Sequence, residues 1–111
     1  MAEPLTESYF YILLCLCERP MHGYGIMQRT AELSGGRVKI GSGTMYGAMG
    51  SMLKKGWIEE YMGVSGDERR RMYRLTGSGR DCLEAERMRL RELVHNADTI
   101  MEESDNEKDA H

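Results

Sequence analysis

The segment from Tyr9 to Cys17 constrains the fold of this 111-residue chain more than any other feature, because it is apolar on nearly every side. Thr6 can cap a helix there, and Glu7 lies in the first turn, where the helix dipole favours an acid. We therefore predict a helix over residues 5–18. Its apolar run has nine residues, whereas a membrane span needs about 20. Such a helix must be covered all round, and since one small domain covers one face, the pattern favours a second copy of the chain on the other.

Proline and glycine divide the middle of the chain into short elements. Pro20 ends the first helix, the HGYG turn follows, and a second helix is predicted from Tyr24 to about Leu33, before Ser34-Gly35-Gly36. Residues 37–40 alternate polar and apolar side chains, which predicts a short strand. A third helix is predicted from about residue 43 to Lys55. Its inward stripe at helical spacing comprises Met45, Ala48, Met49, Met52 and Leu53.

Two strand-like segments and a long helix complete the chain. Residues 57–62 and 71–75 are rich in aromatic and aliphatic side chains, and the glycine-containing segment between them predicts a hairpin. Thr76 can cap a final helix through Met101, and residues 104–111 have no apolar period, so we expect them to be disordered. The order predicts a mainly α fold with a small β-hairpin (α+β): a winged helix-turn-helix over residues 1–76, a dimerisation helix over 77–103 and an acidic tail over 104–111.

The charge is divided between two parts of the chain. The formal net charge is −3, but residues 29–80 hold 10 Lys and Arg against 5 Asp and Glu. From residue 83 onward there are 4 basic residues and 9 acidic ones. A basic middle and an acidic end indicate that one part meets phosphate and the other does not.

The outward face of the third helix has an unusual composition. It carries no acid, and its two glycines, Gly47 and Gly50, cost about 1 kcal/mol each relative to alanine. Close approach of the backbone to a DNA groove would compensate; tight packing inside the protein is the alternative. Residues 69–71 add three consecutive arginines at the hairpin. They favour contact with a DNA backbone, with a solvated turn held by internal ion pairs as the alternative.

Five stretches occur in order between residue 5 and about residue 94: LTESYFYILLCL, HGYGIMQ, LSGGRVKIGSGTMYGAM, KKGWIEE and DERRRMYRLTGSG. In these stretches the chain resembles the PadR family of transcriptional regulators, in particular its short members. The resemblance implies a dimeric winged-helix repressor that binds double-stranded DNA and is released by a small, often aromatic, molecule or another stress signal. It also implies DNA contacts from Tyr24, Thr44, Tyr46 and the arginines of residues 69–71.

Two residue sets follow from the patterns and the resemblance together. The expected DNA-binding residues are Tyr24, Ser42, Thr44, Tyr46, Gly47, Ser51, Lys54, Arg69, Arg70 and Arg71. The expected dimer contacts, which the resemblance places between the C-terminal helix and the partner's N-terminal helix, are Phe10, Leu13, Leu14, Leu90, Leu93, Val94, Ala97 and Met101. Many long members of the family have proline at the position of Gly47. The only tryptophan, Trp57, begins the hairpin, so the drug-stacking tryptophan that some short members carry on the last helix has no counterpart.

Other classes of protein lack their required residues. There is no phosphate-binding P-loop motif, and His22, His95 and His111 pair with no cysteine at zinc spacing. The chain has three cysteines, Cys15, Cys17 and Cys82, which is an odd number, and we find no secretory leader. We therefore expect them to be small buried side chains rather than disulfide partners, with redox sensing as the alternative. We therefore predict a cytoplasmic protein without enzymatic activity, cofactor or metal.

Two alternatives from other functional classes remain open. One is a winged-helix protein-interaction module that does not bind DNA, consistent with the net charge. It predicts exposed aliphatic side chains on the outer face of the third helix, in place of glycine and serine. The other is a small-molecule sensor that uses the dimer interface.

Overall fold

The computed structural model describes residues 4–61 and 71–109, which form four helices and one three-stranded antiparallel sheet. Within these ranges no helix, the 33-residue last one included, is long and apolar enough to cross a membrane. In chain order the elements are α1 (Glu7–Glu18), β1 (Met21–His22), α2 (Gly23–Leu33), α3 (Ser42–Lys55), β2 (Ile58–Tyr61), β3 (Met72–Leu75) and α4 (Gly77–Asp109).

The ends of the helices follow the local sequence. Thr6 caps α1 as expected, since its Oγ1 accepts a hydrogen bond from the backbone N–H of Tyr9 at 3.2 Å. Gly56 ends α3 in the left-handed conformation with φ 75°, a backbone shape that glycine adopts without a steric cost. Thr76 precedes α4, and its hydroxyl accepts from the backbone N–H of Gly79 at 3.0 Å.

The sheet contains a strand that the sequence did not reveal. Met21 pairs with Tyr73 and His22 with Met72, so the strand order is β1-β3-β2. The prediction of a strand over residues 37–40 is wrong. The Ser34 hydroxyl accepts from the backbone N–H of Val38 at 2.9 Å and turns this segment back against the end of α2. The apolar residues of the segment enter the core from a loop, Ile40 being almost fully buried.

α1 is the centre of the core and packs against α2, α4 and β3. The largest fully buried side chains come from α1, α2, α3 and β2: Ile12, Leu13, Cys15, Ile26, Thr30, Met45, Met49, Met52 and Ile58. Leu53 was expected inside, but it lies at the margin of the α3 stripe and is 36% exposed. The core thus fixes the inward side of α3 and leaves the opposite side to solvent.

α4 begins tightly packed and ends far from the core. A Cβ at Gly79 would clash with the Trp57 carbonyl oxygen, so only glycine allows the first turn of α4 to pack against the residue that precedes β2. The helix then continues to Asp109, and the predicted disorder of residues 104–111 is wrong for residues 104–109. Glutamate and lysine there are good helix formers, and lengthening an existing helix needs no new nucleus.

Candidate nucleic-acid interface

The solvent-facing side of α3 carries five of the ten predicted DNA-binding residues. Met45, Ala48, Met49 and Met52 hold the helix in the core. Ser51 is half-buried at the margin, and the predicted residues on the open side are all exposed: Ser42, Thr44, Tyr46, Gly47 and Lys54. The side chains that hold α3 in place are therefore different from those that it presents to solvent.

Gly47 and Gly50 lie in open space. A Cβ built at either position would meet no atom within 4 Å. Tight packing inside this protein therefore does not explain the two glycines, and that alternative interpretation is wrong for the protomer. A helix with bare backbone on its outer side can lie closer to a groove than one that carries long side chains there.

The ends of α3 suit a negatively charged partner. The residue before its first turn is Gly41, which has no side chain to accept from the first amides, and the turn contains no acid. Those backbone N–H groups have no intrahelical acceptor. At the other end Lys54 is exposed, whereas the Lys55 ammonium lies 4.7 Å from the centre of the Trp57 ring.

α2 brings a second motif next to α3. Tyr24 and Tyr46 are each 64% exposed. The Tyr46 ring lies over the start of α2, because a Cβ built at Gly23 would be 3.8 Å from the hydroxyl oxygen of Tyr46. The HGYG and GTMYG motifs therefore meet at one surface. Gly23 and His22 were not among the predicted site residues, although the HGYG motif that contains them was the signal that could have found them.

The hairpin, with its strands β2 and β3, is the wing of the fold. Arg69 and Arg70 lie outside the described residues. Arg71 is exposed and its guanidinium donates to Glu60 at 3.3 Å. This is the kind of internal ion pair that the alternative interpretation of the three arginines predicts. Arg74 pairs in the same way with Glu59 at 2.6 Å. Exposed pairs of this kind contribute about 0–1 kcal/mol, so a phosphate can replace the carboxylate at little cost.

A second exposed surface runs along α4. Leu90, Leu93, Val94 and Met101 are 37–64% exposed, Ala97 is also exposed, and Phe10 and Leu14 of α1 are half-buried beside them. We call the α4 residues Leu90, Leu93, Val94, Ala97 and Met101 the α4 stripe. Leu13 was expected at this surface, but it is 0% exposed. It already faces the core of its own protomer, so its assignment to the dimer interface is wrong.

Buried ionisable groups stabilise the fold around these surfaces. Glu86 on α4 is 6% exposed, accepts from the Leu5 backbone N–H at 2.6 Å, and pairs with Arg89. The hydrogen bond from Arg89 lowers the pKa of this carboxyl, as does the Leu5 amide. Burial raises the pKa of the Cys15 and Cys82 thiols, which disfavours the reactive thiolate form.

The part of the chain that the structure describes contains no cluster of three side chains able to hold a metal ion. It does contain an open groove of about 350 Å³ between α1 and α4, next to the α4 stripe. Its lining is partly apolar and partly charged, and comprises Phe10, Leu14, Cys17, Leu83, Arg80, Glu84 and Arg87.

Three packed helices followed by an antiparallel hairpin, with the third helix exposed on its outer side, define a winged helix-turn-helix protein. The sequence pattern of the PadR-like family of transcriptional regulators matches residues 12–85. Since that match covers more than half of the chain, the protein belongs to the PadR-like family. The family and the structures that the chain resembles are transcriptional regulators rather than enzymes.

Two solved structures share the fold over most of their length. One is a PadR family transcription regulator from Clostridium difficile, with a TM-score of 0.72 and 25% identity, over 86% of this chain and 99% of the other. A transcriptional regulator from Clostridium thermocellum has a TM-score of 0.65 and 29% identity, over 81% and 87% of the two chains.

A curated relative is much longer than this chain. It is a 37.1 kDa protein in transposon TN4556 of Streptomyces fradiae, 31% identical over 81 residues. These residues are 73% of this chain but only 22% of the relative. The chain therefore spans about a fifth of that protein's length.

Proposed function

We propose that this protein is a dimeric transcriptional repressor that inserts α3 into the major groove of a pseudo-palindromic operator, with Tyr24 and the wing on the flanking backbone. The observation that carries the proposal is the outer side of α3. It has exposed hydroxyls, a tyrosine and a lysine, two glycines in open space and no acid. A helix surface of this kind fits a groove lined with base edges and phosphates.

The interaction-module alternative has less support. It predicts exposed aliphatic side chains on the outer side of α3, and within the described residues of that helix Leu53 is the only large aliphatic exposed, at the margin of the stripe. The basic balance of residues 29–80 also favours a polyanion over an apolar protein partner.

The dimer in this proposal joins the α4 stripe of each copy to Phe10 and Leu14 of the other. From Leu90 onward, every α4 side chain that the structure describes is exposed, although the stripe includes large apolar residues. A second copy would cover both the stripe and the open side of α1. With twofold symmetry, the two α3 helices would enter successive major grooves about 34 Å apart.

The release signal is proposed to be a small, often aromatic, molecule or a stress signal, as the family resemblance implies. The groove of about 350 Å³ between α1 and α4 would then border the dimer interface. A ligand there could change the angle between the two α3 helices. A repressor of this kind would act in the cytoplasm.

Fluorescence anisotropy over a salt series tests the proposal. The probe is the duplex immediately upstream of the protein's own gene, and the control is unrelated DNA of equal length. We expect a preference of at least about 10³-fold and an affinity that falls steeply with salt. Equal weak binding to both duplexes, together with no enriched sequence in selection from a random pool, would refute the repressor.

A further inference from the structure

His22 makes two contacts at the junction of β1 and α2, both with its imidazole ring. Its Nδ1 accepts a hydrogen bond from the backbone N–H of Gly25 at 2.9 Å and so caps the start of α2. The same ring is stacked with Tyr24, with 6.5 Å between centroids and an interplanar angle of 24°. One side chain thus caps the first turn of the helix and lies alongside the ring of an exposed tyrosine.

The choice of histidine is informative because asparagine, aspartate and serine are the better helix caps. Those residues could accept from Gly25, but they have no flat ring to stack on Tyr24. The neighbouring glycine makes room for the ring, since a Cβ at Gly25 would lie 3.3 Å from His22 Cε1 and 3.4 Å from Nδ1. The local sequence therefore keeps the imidazole against the backbone of α2.

The backbone of His22 is held separately from its side chain. It pairs with Met72 of β3, which directly follows the exposed Arg71 of the wing. On the other side, the start of α2 lies under the Tyr46 ring of α3. His22 therefore lies where the wing, α2 and α3 meet.

We propose that His22 is a positioning residue for DNA binding, which acts by holding the Tyr24 ring in the orientation that contacts the DNA backbone. This inference rests on the proposed function and extends it to a residue without an assigned DNA contact. The hydrogen bond to Gly25 sets the stability of α2, and the stack on Tyr24 sets the affinity. The two contributions are separable by substitution.

The experiment uses full-length protein and a duplex that the wild type enriches from a random-sequence pool. His22→Asn keeps an acceptor for Gly25 and removes the ring, whereas His22→Phe keeps a ring and removes the acceptor. Each is made alone, and His22→Asn is also combined with Tyr24→Ala. Thermal unfolding and the Kd of the folded protein are measured for every variant.

We expect His22→Asn to unfold near the wild-type temperature and to raise Kd about two- to tenfold, the usual range for loss of an aromatic pair. With Tyr24→Ala already present, His22→Asn should change Kd no further, because the two residues act through one contact. His22→Phe should unfold at a lower temperature yet bind better than His22→Asn. Thr6→Ala, which removes the cap of α1, should lower the unfolding temperature and leave Kd unchanged.

Two results would overturn the proposal: wild-type affinity in His22→Asn, or the same increase in Kd with and without Tyr24. A wild-type protein that enriches no sequence would refute the repressor itself before any variant is compared, and this inference would fail with it.

Discussion

The Tyr46 ring on α3 lies directly above the backbone of Gly23 on α2, close enough that a methyl group at position 23 would be in van der Waals contact with it. This contact joins the two helices at the ends that we assign to DNA. It also means that Tyr46 is held on one side and open on the other, since 64% of the residue remains exposed. A supported but accessible tyrosine needs little ordering when it binds.

The first prediction concerns the proposed DNA surface. Tyr46→Ala combined with Arg70→Ala should lower the affinity for the cognate operator by tenfold or more, because it removes one contact from α3 and one from the wing. Arg70→Ala alone should reduce the salt dependence by about 0.9 units of log K per log salt. Anisotropy titrations at several salt concentrations measure both. Unchanged operator affinity in the double variant would show that the assigned surface is wrong.

A second prediction separates stability from binding at the α3 glycines. Gly47→Ala and Gly50→Ala should each raise the free energy of unfolding by about 0.5–1 kcal/mol, because both added methyl groups enter open space. The same methyl groups should hold α3 away from the groove and weaken operator binding. Gly77→Ala, also helical and also in open space, is the matched control and should leave binding unchanged. Tight operator binding by both α3 variants would contradict close backbone approach.

Gly79 gives the opposite expectation. Gly79→Ala should destabilise the fold by about 3 kcal/mol or more, since its Cβ would lie 2.0 Å from the Trp57 carbonyl oxygen. Chemical denaturation of Gly79→Ala beside Gly77→Ala, two residues away in the same helix, measures the difference. Equal stability of the two variants would mean that α4 can move away from Trp57 without loss of stability.

Glu86 makes the free energy of unfolding depend on pH in the acidic range. Its pKa is lowered in the folded protein, chiefly by the hydrogen bond from Arg89. Its stabilising contribution is therefore complete above the unfolded-state pKa of about 4.3 and is lost as the pH falls through the lower folded-state pKa. Glu86→Gln should flatten the decline in unfolding free energy below pH 5.

The control for Glu86 is Glu84, which pairs with Arg87 at the surface. Glu84→Gln should change the pH profile much less, because solvent screens an exposed pair. If the free energy of unfolding declined in parallel with falling pH for wild type and Glu86→Gln, protonation of the Glu86 carboxylate would not be the cause of the acid sensitivity.

The α4 stripe leads to a prediction about assembly. Val94→Lys should convert the dimer to a monomer that retains its helices, because it places a charge in the centre of the proposed apolar contact. Glu92→Lys, on the opposite side of α4, is the control and should remain dimeric. Sedimentation velocity distinguishes the two states, and a dimeric Val94→Lys protein would place the interface elsewhere.

Local signals predicted the helices well. The Thr6 cap, the glycines after α2 and α3, and the inward stripe of α3 are all short-range features, and each is present in the structure, apart from Leu53 in the stripe. The two-residue strand β1 could not be predicted in this way, because its pairing with β3 joins residues at least 50 positions apart. A two-residue segment is also too short to show an alternating pattern.

The site was only partly predictable for a related reason. Tyr24 and Tyr46 were identified from motifs, whereas the contact between Gly23 and the Tyr46 ring depends on how α2 and α3 pack. Leu13 shows the converse error. An all-round apolar helix does not reveal which of its sides faces its own core, so a fully buried leucine was assigned to the partner.

Open space around Gly47 and Gly50 also bears on how the protein can change over generations. Most substitutions that alter a binding surface also disturb packing, and the loss of stability limits which of them persist. At these two positions the fold imposes no such limit, and nearly any replacement improves the helix. A new operator preference could therefore arise here by a single substitution that leaves the protein at least as stable as before.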